Sequence, residues 1–313
     1  MTKKTTNKGA LANDFFYPPF STLDARSGWW QDRKRKWLNL GIESELGRVK
    51  TFESLGSIYD IKKQHIKKSK HGKQDPSWAT TSIFDPVLCE ILYKWFAPEG
   101  GHILDPFAGG SVRGLVASYL GYRYTGFDIR QEQIDANVRQ ARTLLKKDHI
   151  SPVWKNVDAC SKSLYKSFKS DVDLIFTCPP YGDLEVYSDH PTDISNMPFD
   201  TFAGALKHSI KQASARLKDN RFAIYVVSDI RDRNGEYRGL PDIVRHAGKE
   251  AGLKVYSELV LLNALGTLPL RARGYFEHSR KIGRAHQNIV LFVKGDPVKA
   301  NADIGAIPCK DPF

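Results

Sequence analysis

The chain has 313 residues, 41% of them hydrophobic, which suits one large α/β domain with an added segment better than two equal domains. No run approaches the ~18 consecutive apolar residues of a membrane span. The N-terminal residues also lack the apolar core of a signal peptide, so we expect a cytoplasmic protein. A formal net charge of +12 favours a polyanionic partner, with nucleic acid as the first candidate.

The four cysteines, Cys89, Cys160, Cys178 and Cys309, are far apart in the sequence. None belongs to a CxxC pair or a Cys/His cluster, which argues against both a zinc site and a disulfide framework. We therefore expect reduced thiols and no metal.

The N-terminal quarter is strongly basic, with 16 Lys and Arg against 8 Asp and Glu in residues 1–80. Its composition predicts a disordered tail over 1–14 and a basic, aromatic-rich extension over 15–80. Basic residues interleaved with aromatics suit phosphate neutralisation and base stacking, but the aromatics could equally pack on the main domain. The candidate nucleic-acid contacts in this extension are Arg33, Arg35, Lys67 and Lys68.

From residue 81 to 298, short β-branched runs alternate with helical periodicities, which is typical of a doubly wound α/β sheet. We predict seven strands, at His102–Asp105, Tyr122–Asp128, Val153–Val157, Val172–Thr177, Phe222–Val227, Lys254–Leu262 and Asn288–Lys294. Helices are predicted at Pro86–Phe96, Ser111–Leu120, Gln131–Lys147, Phe199–Leu217 and Pro241–Ala251.

The last connection, residues 263–287, has no room for a full helix with its loops in a compact crossover. We therefore expect the final strand to be antiparallel to its neighbours. Residues 299–313 are predicted to be a C-terminal tail.

A buried strand ending at Asp105 runs into a turn that contains Gly109 and Gly110 and opens a helix. Glycines at the carboxyl end of a first strand let backbone amides approach a nucleotide-like ligand. The second strand ends at Asp128, where a carboxylate can accept ribose hydroxyls or can cap the next helix.

The Asp-Pro-Phe-Ala-Gly-Gly turn, the preceding Ser82–Pro86 segment and the later Thr-Cys-Pro-Pro-Tyr motif together resemble the DNA amino-methyltransferases that make N4-methylcytosine or N6-methyladenine. The resemblance covers about residues 82–294 and implies a Rossmann-like methyltransferase fold with S-adenosylmethionine as cofactor. The cofactor contacts that it implies are Phe84, Asp85, Asp105, Phe107, Ala108, Gly109, Gly110, Asp128, Ile129 and Asp158, the last for the adenine amino group.

The candidate catalytic loop is Thr177, Cys178, Pro179, Pro180 and Tyr181, directly after an apolar strand. Two prolines fix the backbone and remove N–H donors, which leaves carbonyl acceptors in a rigid loop. Acceptors at an exocyclic amine help it to pyramidalise and attack a methyl group. The tyrosine can stack on a base taken out of the helix.

Cys178 departs from the family pattern, in which Asp, Asn or Ser precedes the two prolines. A thiol is a poor acceptor, but its size is closest to serine, which favours cytosine N4 over adenine N6. Two other interpretations stay open: a nucleophile that adds to C6 of a pyrimidine in a C5-methylation, and simple packing.

A second basic patch, Arg271, Arg273, Arg280 and Arg284, is predicted to face phosphates beside the site, with a solvated loop as the alternative. We expect DNA as the partner, with RNA as a weaker candidate. An RNA base N-methyltransferase, a protein amide methyltransferase and a non-catalytic nucleic-acid-binding module remain alternatives. The sequence leaves monomer and homodimer open.

Overall fold

A computed structural model describes residues 9–43, 84–161, 164–182, 192–232 and 234–313. Lys67 and Lys68, predicted as nucleic-acid contacts, lie outside these ranges. The described strands are Thr22–Asp24 (β1), His102–Asp105 (β2), Arg123–Asp128 (β3), Val153–Asn156 (β4), Val172–Thr177 (β5), Leu217–Val227 (β6), Lys254–Leu262 (β7) and His286–Lys294 (β8).

The described helices alternate with these strands along most of the chain. They are Ala10–Phe15 (α1), Gly28–Leu38 (α2), Pro86–Phe96 (α3), Val112–Tyr119 (α4), Gln131–Leu144 (α5), Leu164–Ser167 (α6), Phe199–Ser214 (α7), Leu240–Glu250 (α8), Leu268–Ser279 (α9) and Pro297–Ile304 (α10). Within the described ranges, no helix is long and apolar enough to cross a membrane.

The eight strands form one sheet in the order β1-β7-β8-β6-β5-β2-β3-β4. All neighbours are parallel except those of β8, which runs antiparallel to both β6 and β7. The predicted Rossmann-like α/β sheet and its antiparallel last strand are thereby confirmed. The predicted count of seven strands is one short, because β1 from the N-terminal extension pairs in parallel with the edge strand β7.

Hydrophobic side chains fill both faces of the sheet. On one face α2, α3, α4 and α5 pack over a cluster that includes Trp30, Trp37 and Phe176. On the other face α7 and α8 pack over a cluster that includes Phe127 and Phe202. Strand β5 is buried along its whole length, as expected of a central parallel strand covered on both faces.

Described residues near both ends of the chain contact α2 or α3, which the two predicted tails did not anticipate. Within the segment predicted to be disordered, α1 forms, and the carbonyl of Phe15 accepts a hydrogen bond from the Trp95 indole at 2.8 Å. At the C-terminus, α10 forms and Asp311 pairs with Arg33 at 3.0 Å. Composition alone does not reveal such contacts with residues distant in the sequence.

The connection from β7 to β8 contains a twelve-residue helix, α9, although the sequence predicted no room for one. None of its residues is buried. The helix does not cover the sheet as a crossover helix would, so it avoids the length requirement behind the prediction.

Candidate active site

A cleft of about 770 Å³ opens at the carboxyl ends of β2, β3 and β5. Open α/β sheets bind ligands at this edge. It brings together thirteen of the fifteen residues predicted for cofactor binding and catalysis: Phe84, Asp85, Phe107, Ala108, Gly109, Gly110, Asp128, Ile129, Asp158, Cys178, Pro179, Pro180 and Tyr181.

The other two residues, Asp105 and Thr177, are fully buried beside this cleft and do not line it. Asp105 accepts hydrogen bonds from Arg113 Nε at 2.5 Å, Tyr124 Oη at 2.7 Å and Thr177 Oγ1 at 2.6 Å. The backbone amide of Phe107 donates to both Asp105 and Thr177 at 3.2 Å. Through these bonds the Asp105 carboxylate organises the glycine turn and joins it to the end of β5.

Arg113 on α4 is hydrogen-bonded to the backbone of the glycine turn. One of its terminal nitrogens donates to the carbonyls of Phe107 at 2.5 Å and Ala108 at 2.7 Å. Burial alone would lower the pKa of Arg113, but the Asp105 carboxylate more than offsets that effect and the pKa is raised. The guanidinium therefore stays charged, and its position fixes the backbone of the turn.

Two glycines shape the turn for different reasons. Gly109 has a φ of +51°, a conformation that L side chains rarely adopt. Gly126 on β3 sits beside Asp105 in the sheet register, and a Cβ there would lie 2.7 Å from the Ala108 side chain. The turn can therefore press against β3 only because residue 126 has no side chain.

At the end of β3, Asp128 accepts a hydrogen bond from the Arg130 amide at 2.8 Å. From the neighbouring helix α5, Asn137 donates to the carbonyl of Gly109 at 2.8 Å, and Gln133 donates to Asn137 at 2.9 Å. These buried amides tie the glycine turn to the helix that follows Asp128. The glycine turn and the end of β3 are thus held in a fixed position relative to each other.

Phe84 and Asp85 form the wall of the cleft on the β5 side. The Phe84 ring packs edge-on against Phe176 of β5 at 5.7 Å between centroids, and the Arg113 guanidinium lies 4.5 Å from its centroid. Asp85 caps α3, accepting from the Val87 amide at 2.9 Å. This segment was predicted from the resemblance to lie against the cofactor, and here it borders the same cleft.

The loop after β5 is fixed at its last residue. The Tyr181 hydroxyl accepts a hydrogen bond from Gln287 of β8 at 2.9 Å and lies 3.4 Å from Cys178 Sγ. Cys178 is half-buried and packs against one of the two hydrophobic clusters. The thiol therefore lines the cleft with a polar contact on one side and apolar contacts on the other.

The predicted nucleic-acid contacts divide into two groups. Arg33 is buried in a pairing with Glu90 and Asp311, so its prediction as a phosphate contact is corrected. Arg35 is exposed and pairs with Asp32 on the same helix. The other four lie on or beside α9: Arg271, Arg273, Arg280 and Arg284.

Sequence reasoning missed Arg113, Gln133, Asn137 and Gln287, which support the cleft. An arginine eight residues after the aspartate that begins the turn is a weak signal for Arg113. Nothing in the sequence pattern marks Gln287, whose partner Tyr181 is 106 residues away. Among the described residues, no group of three or more His, Cys, Asp or Glu could hold a metal ion.

No protein-family model matches the chain. Among curated proteins, it is 31% identical over 104 residues to the type II methyltransferase M2.DpnII of Streptococcus pneumoniae. That match covers 33% of this chain and 35% of the relative, so the chain spans about a third of the length of the curated protein that it matches.

Solved structures with a similar fold include TrmN from Thermus thermophilus, with a TM-score of 0.46, 16% identity, and coverage of 70% of this chain and 52% of that one. Magnesium protoporphyrin IX methyltransferase from Synechocystis PCC 6803 with bound SAM has a TM-score of 0.45 and 10% identity, covering 80% and 97%. A putative RNA methyltransferase from Pyrococcus horikoshii has a TM-score of 0.44 and 16% identity, covering 76% and 100%. Identities this low carry no substrate over to this chain.

Proposed function

We propose that this protein transfers a methyl group from S-adenosylmethionine to an exocyclic amino group of a DNA base, with cytosine N4 favoured over adenine N6. One observation carries the proposal: a single cleft is lined both by the glycine turn with Asp128 and by the Cys178–Tyr181 loop. Methyl transfer requires a cofactor subsite and a base subsite that share one space.

The chemistry of the cleft fits the cofactor. Asp128 at the end of β3 would accept hydrogen bonds from the ribose hydroxyls, and Asp158 after β4 would accept one from the adenine amino group. The Cβ-free surface at Gly109, where nothing lies within 4 Å of a would-be side chain, leaves room for close approach of the ligand to the turn. When bound, the cofactor supplies an activated methyl group on its sulfonium.

The loop after β5 would bind the base. Pro179 and Pro180 give it a rigid backbone, whose carbonyls would accept hydrogen bonds from the exocyclic amine. Tyr181 would stack on the extruded base, and its hydroxyl is already bonded to Gln287, which restrains the ring before any base arrives. The small Cys178 side chain resembles serine in volume, which supports the cytosine preference.

The basic surface around α9 supports a nucleic-acid substrate. Arg271, Arg273 and Arg280 lie on or at the end of an exposed helix in the connection between β7 and β8. Gln287, which follows this connection, also lines the cleft. A polyanion bound to α9 would therefore lie next to the base subsite.

The proposal is tested by offering cofactor with a labelled methyl group to duplex DNA, single-stranded DNA and RNA, and counting the label in each polymer. We expect transfer to DNA. Asp128→Ala should abolish it, whereas the matched variant Asp148→Ala, whose side chain is 84% exposed, should retain it. Transfer to RNA alone would replace DNA with RNA as the substrate, and no transfer to any polymer would contradict the proposal.

Cys178 variants separate amino-methylation from C5-methylation. An amino-methyltransferase has no covalent step at this sulfur, so Cys178→Ser should keep most of the activity. A C5-methyltransferase that uses Cys178 as the nucleophile would lose its activity in the same variant and would trap 5-fluorocytosine DNA covalently in the wild type. That trapped complex would overturn the amino-group target.

A further inference from the structure

The N-terminal extension supplies part of the cleft wall. Three residues of α2, Gln31, Lys34 and Leu38, line the same space as the glycine turn. The helix is held there by Trp30, which is fully buried and donates from its indole nitrogen to Asp85 at 3.1 Å. An element outside the family resemblance is thus built into the candidate cofactor site.

Lys34 and Asp85 form an ion pair on this wall, with 3.1 Å between Nζ and Oδ2. Their side chains are 28% and 13% exposed, so the pair faces the cleft without being free in solvent. The other carboxylate oxygen, Oδ1, already accepts from Val87 and Trp30. Only Oδ2 is shared with Lys34, and the pair presents one cation and one anion side by side.

The position of the pair relative to the sheet assigns it to one end of the cleft. Asp85 adjoins Phe84, which packs on Phe176 of β5, whereas Asp128 stands at the end of β3. Strand β2 with its glycine turn separates β5 from β3. The Lys34–Asp85 pair therefore lies across the glycine turn from Asp128, and a ligand that reaches both would span the turn.

The other cations of the cleft are committed elsewhere. Arg113 is buried and bonded to Asp105 and to two backbone carbonyls of the turn. Arg130 lies next to Asp128 and donates to Gln133 at 2.8 Å. Among the described residues that line the cleft, Lys34 is the cation on the β5 side that is partly exposed.

We propose that Lys34 binds the α-carboxylate of the cofactor's methionine arm and that Asp85 binds its α-ammonium. The inference rests on the proposed function, because it presupposes S-adenosylmethionine in this cleft. A zwitterion carries one charge of each sign on a single carbon, and the Lys34–Asp85 pair is complementary to it. The existing ion pair would exchange its internal bond for two bonds to the ligand, so neither charge would be left unpaired.

Two ligands isolate this interaction in calorimetry: S-adenosylhomocysteine carries the amino-acid arm, and 5′-methylthioadenosine lacks it. Lys34→Met should weaken S-adenosylhomocysteine binding about tenfold, equivalent to ~1.4 kcal/mol, because a charge-assisted hydrogen bond is lost. The affinity for 5′-methylthioadenosine should change less than about twofold. Lys36→Met on the same helix, whose lysine pairs with Asp311, is the matched control and should leave both affinities unchanged.

The outcomes distinguish this inference from the proposed function. If Lys34→Met weakens the binding of both ligands equally, Lys34 does not bind the α-carboxylate. A general change in the shape of the cleft would lower both affinities in this way. Unchanged binding of both ligands would also overturn it while leaving the proposed function intact. A wild-type protein that binds neither ligand would contradict both. Unfolding curves of each variant would verify that the folded state is retained.

Discussion

Two helices of similar composition, α2 and α9, have opposite roles in this molecule. Both carry arginines beside aromatic residues, and both patterns suggested a nucleic-acid surface. In α2 two of the three tryptophans, Trp30 and Trp37, are fully buried, and Arg33 is paired in the core. In α9 no residue is buried, and Tyr275 and Phe276 are 41% and 43% exposed.

The difference lies in what faces each helix. Opposite α2, helix α3 presents Glu90, a fully buried carboxylate that accepts from Arg33 at 2.5 Å and from Trp37 at 2.8 Å. Lys94 also lies 3.2 Å from Glu90, and burial lowers the pKa of that lysine. No described element offers α9 a comparable carboxylate from the core. The same residue types thus become internal structure in one region and a candidate phosphate surface in the other.

The largest effect on stability should follow from breaking the buried ion pair between Arg33 of α2 and Glu90 of α3. Arg33→Met leaves the buried Glu90 with one cation fewer, and we expect a loss of about 3 kcal/mol in the free energy of unfolding. Arg35→Met, two residues along the same helix, removes an exposed pair and should cost less than ~0.5 kcal/mol. Urea denaturation of both variants measures the difference. Equal, small losses would show that α2 is as loosely attached as α9.

Substitutions of aromatic residues should also cost more stability in α2 than in α9, with a smaller difference than for the arginines. Trp37→Phe removes a buried indole that donates to Glu90, and we expect a loss of about 2 kcal/mol in stability from the missing volume and hydrogen bond. Tyr275→Leu on α9 should change stability by less than ~0.5 kcal/mol. The same denaturation series compares them, and a large loss for Tyr275→Leu would refute the exposed position of that ring.

For DNA affinity we expect the opposite order, with larger losses from substitutions on α9 than from substitutions on α2. The double variant Arg271→Gln/Arg273→Gln should weaken DNA binding about tenfold, or ~1.4 kcal/mol, with no change in stability. The slope of log affinity against log salt should fall by about 2, roughly one per lost phosphate contact. Lys299→Gln on α10, an exposed lysine outside the candidate contacts, is the control. An unchanged slope in the double variant would remove α9 from the interface.

The smallest effect concerns the end of α9, where Arg280 has a φ of +56°. A left-handed conformation at this position favours glycine, so Arg280→Gly should raise the free energy of unfolding by about 0.5 kcal/mol. The same variant should weaken DNA binding, because it also deletes a cation. If stability rises without any loss of binding, Arg280 does not contact DNA.

Periodicity predicted most of the sheet. The bounds of β2, β5 and β7 agree residue for residue with the structure, because apolar runs bounded by turns identify such strands. Strand β1 has only three residues within an aromatic-rich segment, too short for an alternation to be recognised. Helix α9 was missed because a helix with no buried face has no hydrophobic period.

For the site, the sequence predicted the residues that line the cleft better than those that support it. Glycine turns and Pro-Pro-Tyr loops are local patterns, so their residues can be located by inspection. Arg113 and Gln287 act through contacts that exist only after folding. Arg33 shows the opposite error, since a charge was assigned to phosphate when its partner Glu90 lies 57 residues away.

The central claim is the chemical position of the transferred methyl group. Wild-type protein would be incubated with cofactor carrying a deuterated methyl and with DNA, and the DNA would then be digested to nucleosides for mass spectrometry against standards. We predict deuterated N4-methyldeoxycytidine, with N6-methyldeoxyadenosine as the second amino-group product. Deuterium found only in 5-methyldeoxycytidine would contradict the account.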